Sequence, residues 1–285
     1  MNNMVNYLPL SFIILWSSAF ISGQFIVESA SPFAALSFRF LVVSLCFFVF
    51  SYLIKEKILV NLKLITQASI TGILFHGLYL GGVFFSYSVG LSATLSALIV
   101  GLQPILTNIF SGPILKEKVN FVQWIGITFG FIGTIMVIGY DIGISIPIIG
   151  IIASVIALLA ATTATIWQKR FTNNISLTVN NFYQAFAAAI FLIVISFLFE
   201  VPYIIFDNRF IISMGWQIIM VSFGAYAILM YLIKNGTASK TSNLFFLVPP
   251  VTAIMAYFIL GEKLYVIDIF GLVICAFGVY IATRK

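Results

Sequence analysis

Long apolar runs separated by short polar punctuation dominate this chain. A run of about 20 apolar residues crosses the hydrocarbon layer as a helix. Read between charges and helix breakers, the pattern predicts ten such helices. The first five cover Leu8–Val27, Pro32–Ile54, Leu64–Val89, Ser92–Ile114 and Val119–Tyr140. The second five cover Ile148–Gln168, Ile175–Phe199, Ile212–Ile233, Thr237–Leu260 and Leu264–Thr283. Glu200–Arg209 is the longest hydrophilic stretch, so the pattern leaves no room for a soluble domain. Connections this short make consecutive helices antiparallel. The first run is too long for the core of a signal peptide and no Lys or Arg precedes it. It reads as a retained helix despite the small residues Ser29-Ala30-Ser31.

Composition agrees with lipid as the solvent. Of 285 residues, 62% are hydrophobic and 8% charged, against about a quarter charged in a soluble domain. A water-soluble domain, a disordered chain, a disulfide scaffold and an ordinary cytosolic enzyme are excluded. Cys46 and Cys275 sit in apolar runs and are expected to be buried thiols. The 14 Lys and Arg are scattered singly or in pairs, which is how loop charges look and not a nucleic-acid patch. With the N-terminus inside, eleven cations fall on the cytoplasmic side, two outside (Arg209, Lys263), and Arg39 lies within a span. That bias predicts an all-α integral membrane protein with ten transmembrane helices and both termini cytoplasmic.

The two halves repeat. Gln103-Pro104, Lys116-Glu117-Lys118, Gly126 and Gly133 recur as Pro249-Pro250, Gly261-Glu262-Lys263, Gly271 and Gly278. The offset is 146 at the prolines (104 to 250) and 145 at Glu117 and Glu262. The expected units are residues 1–141 and 142–285, five helices each. An odd number of helices per unit inverts the second copy, a design associated with alternating access.

Several runs together resemble the drug/metabolite transporter superfamily, in particular its EamA-type ten-helix members. They are Trp16-Ser17-Ser18-Ala19-Phe20, Arg39-Phe40, His76 to Phe84, Ser96 to Pro104, and Leu247 to Ala253 before Gly261-Glu262. The resemblance covers the whole chain. It implies secondary transport in a bacterial inner membrane, often export of amino acids or other metabolites. It also implies a central cavity between the halves, with the fifth and tenth helices outside it.

The residues themselves mark a pathway. Polar groups in hydrocarbon face the bundle interior or a water-filled cavity. Ser92, Ser96, Gln103 and Thr107 form one stripe on the fourth helix, with Pro104 beside it. The stripe serves either cavity lining or helix–helix hydrogen bonding. Ser154, Thr165 and Gln168 form a weaker stripe on the sixth helix, and Thr241 to Thr252 another on the ninth. Pro104, Pro249 and Pro250 are hinge candidates. Arg39, alone within a span, either snorkels, bonds carbonyls or pairs with Glu28, or else it meets a substrate carboxylate. His76, the single histidine, is a buried imidazole bonded to a tyrosine such as Tyr79, or a proton-coupling or substrate contact. Trp16, Trp167, Tyr183, Gln184 and Tyr226 are candidate cavity walls, and Gly126, Gly130, Gly133, Gly271 and Gly278 favour close helix packing.

A secondary transporter of small metabolites is therefore expected, with amino acids favoured by elimination. No metal cluster, cofactor motif or catalytic pair stands within the spans, so an enzyme, a cofactor and a metal are not expected. A non-transporting receptor or scaffold is the alternative, as is a carrier of another metabolite class. Expected partners are membrane lipid, a small-molecule substrate and protons as coupling ion, in a monomer or a homodimer.

Overall fold

A computed structural model describes residues 2–91, 96, 99–117, 119–138, 147–171, 175–259 and 266–283. These residues form helices α1 (Asn2–Ser29), α2 (Pro32–Leu53), α3 (Leu62–Ser88), α4 (Gln103–Leu115) and α5 (Phe121–Ile138). There follow α6 (Ile148–Phe171), α7 (Leu177–Phe199), α8 (Asn208–Asn235), α9 (Ala238–Ile259) and α10 (Val266–Thr283). Seven helices, α1 to α3 and α6 to α9, are long and apolar enough to cross a membrane. No β-strand element occurs among the described residues; a single isolated bridge joins Ala30 to Ile204.

Capping chemistry sets several ends. The α8 helix starts four residues before the expected Ile212 because the Asp207 carboxylate accepts the Phe210 N–H at 2.7 Å. Asn61 caps α3 through the Lys63 N–H at 2.9 Å, and Thr237 caps α9 through the Lys240 N–H at 3.1 Å. The Ser31-Pro32 pair opens α2, where proline's missing N–H is no loss. Gly90, at φ +87°, takes the left-handed conformation that stops α3.

Irregular turns interrupt the helices at related places. In α3 the segment Ile73–Leu80 is π-helical, and in α8 the segment Gln217–Ala225 is too. Their starts differ by 144 (73 to 217), while α2 and α7 (32 to 177) and α5 and α10 (121 to 266) differ by 145. The fourth run is helical from Gln103 after a turn at residues 101–102, and α9 carries a 3₁₀ segment at Leu244–Leu247. Pro104 and Pro249 thus open the helical stretches that follow these breaks, where they displace no intrahelical bond. The prolines expected mid-span as hinge candidates sit just after these breaks. Ser92, Lys118, Tyr140, Asp141, Leu260 to Leu264, Arg284 and Lys285 lie outside the described residues.

Beside a buried apolar core, the surface is far more apolar than that of a protein in water. Leu45, Phe197, Ile212 and Phe258 are exposed, while Ser17, Gln103, Gln184 and Gln217 are fully buried. Lipid is the solvent that makes this arrangement favourable. Cys275 is buried and its thiol donates to the Phe246 carbonyl, whereas Cys46 is exposed on the outer face of α2. The expectation of two buried thiols therefore fails at Cys46, because an apolar run in lipid has an apolar outside as well.

The helix pairs α2–α7 and α5–α10 pack side by side, and α1 lies against α8 and α9. Small residues set the α5–α10 distance. A Cβ on Gly278 would lie 2.3 Å from the Gly130 nitrogen, and one on Gly133 would lie 2.5 Å from the Gly271 oxygen. Backbones this close admit no larger residue. The variant Gly278→Ala is expected to lose about 1–3 kcal/mol through overpacking. In detergent its thermal unfolding midpoint should fall by several degrees. Gly215→Ala, which meets nothing within 4 Å, should leave the midpoint unchanged.

Candidate functional site

Four helices wall a narrow cavity at the level of the two π-helical segments. Its lining comes from α1 (Trp16, Phe20), α2 (Arg39), α3 (His76, Tyr79, Val83, Phe84, Tyr87) and α8 (Gln217, Val221, Tyr226). The space within it is about 30 Å³, enough for a water or two. The wall is mostly aromatic, with polar groups at chosen points.

Those polar groups form a belt across the bundle. Arg39 is 3% exposed, and its Nε and Nη2 both donate to the Ser222 hydroxyl at 3.0 and 2.9 Å. Its guanidinium lies 5.1 Å from the Phe40 ring centre. His76 sits between Phe40 and Tyr226, with ring centres 4.4 and 4.3 Å away, and its Nδ1 has no hydrogen-bond partner. The Tyr226 hydroxyl donates to Gln184 Oε1, and Gln184 Nε2 donates to Gln168 Oε1 at 2.9 Å. Arg39 and Gln184 are 145 positions apart, the interval that separates the starts of α2 and α7. Trp16 is buried against Phe12, Phe75 and Phe245, and Tyr79 against Phe75. The structure thus brings Trp16, Arg39, His76, Tyr79, Gln168, Gln184 and Tyr226 together.

Other residues of interest lie elsewhere. The Gln103 amide donates to Thr165 Oγ1 at 3.1 Å, and Ser96 bonds the hydroxyls of Ser154 and Ser86 at 3.0 and 3.1 Å. The stripes on the fourth and sixth helices therefore meet along a seam, where Gln103 Oε1 and Thr107 Oγ1 remain without a partner. Trp167 donates to the Gln67 carbonyl and lines a separate groove of about 510 Å³ together with the exposed Phe110 and Leu159. Tyr183 donates to the Ile58 carbonyl, and Thr252 to the Ser17 carbonyl. Arg39 does not pair with Glu28, which binds Arg209 at 2.6 Å.

The EamA-like transporter family profile matches residues 5–139 and again 148–284. This chain belongs to the EamA-like transporter family. Among its relatives, the uncharacterized transporter YyaM of Bacillus subtilis (strain 168) is 30% identical, over 96% of this chain and 92% of that one. An uncharacterized transporter of Buchnera aphidicola subsp. Schizaphis graminum (strain Sg) is 24% identical, over 93% and 89%. The uncharacterized inner membrane transporter YedA of Escherichia coli (strain K12) is 23% identical, over 95% and 87%. A crystal structure superposes with a TM-score of 0.83 at 16% identity, covering 99% of this chain and 96% of that one, a likeness of fold alone. The chain is thus a multi-pass membrane protein of a transporter family.

In this EamA-family chain both ends of the bundle are fastened. At one end Ser29 donates to Asp207 at 2.8 Å, and Glu200 accepts the Phe33 and Ala34 N–H groups at the start of α2. At the other end Glu117 accepts the Ala238 and Ser239 N–H groups, and Asn108 donates to Asn243 at 2.8 Å. Carboxylates at helix N-termini gain from the local positive field.

Gln217 and Ser222 went unread in the sequence although both are polar within an apolar run. At about 100° per residue Gln217 and Tyr226 would point about 180° apart. The wider π turns bring them to one face. The Phe210 N–H and the Ser29 hydroxyl hold the Asp207 carboxyl below the usual carboxylate range. Its contribution is therefore complete above about pH 4, the ordinary aspartate value, and is lost as pH falls through the depressed one. Hydrogen exchange of the first turn of α8 should accelerate in that acid window in the native protein. An Asp207→Asn variant should lack that step.

Proposed function

We propose that the protein is a secondary transporter that moves small metabolites, amino acids or related compounds among them, out of a bacterial cell by alternating access. The single observation that carries this reading is the cavity walled by Trp16, Arg39, His76, Gln217 and Tyr226. Helices from both ends of the chain line it, and its polar groups stand in an otherwise apolar wall. A site shared between repeats is where inverted-repeat carriers bind their cargo.

The proposed topology has ten transmembrane helices in two inverted repeats, residues 1–141 and 142–285, with both termini cytoplasmic. Eleven cations against two on opposite sides support it, as do the two family matches at 5–139 and 148–284. The inner membrane follows from the same reading. Protons are the proposed coupling ion, with His76 as the one imidazole available to carry them. The reading involves no enzymatic step. A monomer suffices for it, since one chain supplies every wall of the cavity; a homodimer would carry two such sites.

Efflux and counterflow in proteoliposomes, over amino acids and small metabolites with and without a proton gradient, test the proposal. Flux that responds to the gradient is expected. His76→Ala should abolish it while the protein still inserts and folds. Flux retained in this variant removes His76 from the pathway, and silence toward every solute in the screen contradicts the transport reading.

A further inference from the structure

Arg39 is the one charged side chain buried among the described residues, and its only hydrogen-bond acceptor is a neutral hydroxyl. A guanidinium offers five N–H donors and stays charged in a protein. Two of those donors share one Ser222 oxygen. Among the residues whose side chains are described, the carboxylates are engaged elsewhere or exposed. Glu28 holds Arg209, Glu117 holds the start of α9, Glu200 holds the start of α2, and Asp207 holds Ser29 and Phe210. Glu56 is exposed in the turn beyond the far end of α2. A buried cation without a counter-charge is costly, and pairing is how proteins normally relieve the cost.

Three more polar atoms around the same cavity lack partners: His76 Nδ1, the Tyr87 hydroxyl and Gln217 Oε1. The Gln217 orientation is fixed, because its Nε2 donates to the Ala19 carbonyl at 2.8 Å and to Ser22 at 2.9 Å. Its oxygen is thus left over as an acceptor. Trp16, Phe20 and Phe84 supply apolar wall beside these groups.

We infer that Arg39 is the anchor for a ligand carboxylate. The site takes compact apolar monocarboxylates, zwitterionic amino acids included. The carboxylate replaces Ser222 on the guanidinium fork, which matches its two oxygens. The apolar remainder lies between Trp16, Phe20 and Phe84, and the ammonium group of a zwitterion meets Gln217 Oε1. Because the present space is about 30 Å³, loading the site requires the four walls to separate. The inference rests on the transport reading for its purpose, but its binding chemistry is testable alone.

Thermal unfolding of the full chain in detergent provides the test, since a ligand that binds the native state raises the midpoint. The probes are phenylpropionate, phenylalanine and leucine, against phenylalaninamide and leucinamide, which keep the apolar part and lose the carboxylate. The acids should raise the midpoint by a few degrees and the amides should not. Arg39→Gln should abolish the shift, and Arg39→Lys should retain a weaker one. Without ligand Arg39→Gln should unfold at or above the native midpoint, since an unpaired buried charge has been removed. Equal shifts from acids and amides, no shift from any acid, or a full shift in Arg39→Gln overturns the inference. Should Arg39→Gln not fold, the acid–amide comparison on the native protein decides. Acid-specific shifts with silence toward every solute in the counterflow screen would support the Arg39 site and contradict transport. Counterflow of other solutes without acid-specific shifts would do the reverse.

Discussion

Hydrocarbon supplies no hydrogen bonds, so a polar group placed inside this bundle bonds either to its own helix, as Ser37 and Thr162 do, or across to another. That constraint organises the whole structure. Ser17 reaches the Val248 carbonyl, Gln103 reaches Thr165, Asn108 reaches Asn243, and Tyr226 reaches Gln184. Each such bond fixes the relative position of two helices, because leaving a buried donor or acceptor unmade costs about 1–3 kcal/mol. Apolar side chains divide between the lipid-facing surface and a core packed between the helices. Polar contacts between helices thus help to set the register of the bundle. Of the buried polar atoms without partners, His76 Nδ1, the Tyr87 hydroxyl and Gln217 Oε1 line the cavity, while others, Gln103 Oε1 and Thr107 Oγ1 among them, lie elsewhere.

Irregular helix geometry does much of the positioning. The π segments of α3 and α8 lie beside the cavity and re-aim side chains that regular helices would scatter. Ser222 and Tyr226 both come from α8, yet they meet Arg39 from α2 and Gln184 from α7 on either side of His76. Wide turns hold their backbone bonds loosely and are frequent at functional sites. The breaks at residues 101–102 and Leu244–Leu247 precede prolines that cannot donate a bond to close them. The helices α5 and α10 are described without such breaks and are held by close glycine contacts.

The membrane class, most helix positions and the family were legible from apolar run lengths and residue patterns alone. Helix contacts were less so. The polar stripe at Ser96, Gln103 and Thr107 was visible at helical spacing, but spacing cannot say whether a stripe faces water or another stripe. Here Ser96 and Gln103 face α6. Arg39 was visible as the lone cation in a span, while its partner Ser222 was hidden by the π turn that rotates it into place. Cys46 shows the same ambiguity from the other side, since an apolar run does not reveal which of its residues look outward to lipid. The fastening at the ends escaped as well, because Glu117 and Glu200 act on backbone N–H groups that no residue pattern displays.

Alternating access requires helices from the two parts of the chain to separate at one end of the bundle while closing at the other. Double electron–electron resonance on spin labels at opposite ends measures this directly. Ser88 with Ile205 reports one end and Lys57 with Asn235 the other, all four exposed and placed in a background lacking Cys46 and Cys275. Two distance populations are expected at each end, shifting in opposite directions when solute or proton conditions change. A single distance at both ends, unmoved under every condition, would contradict alternating access.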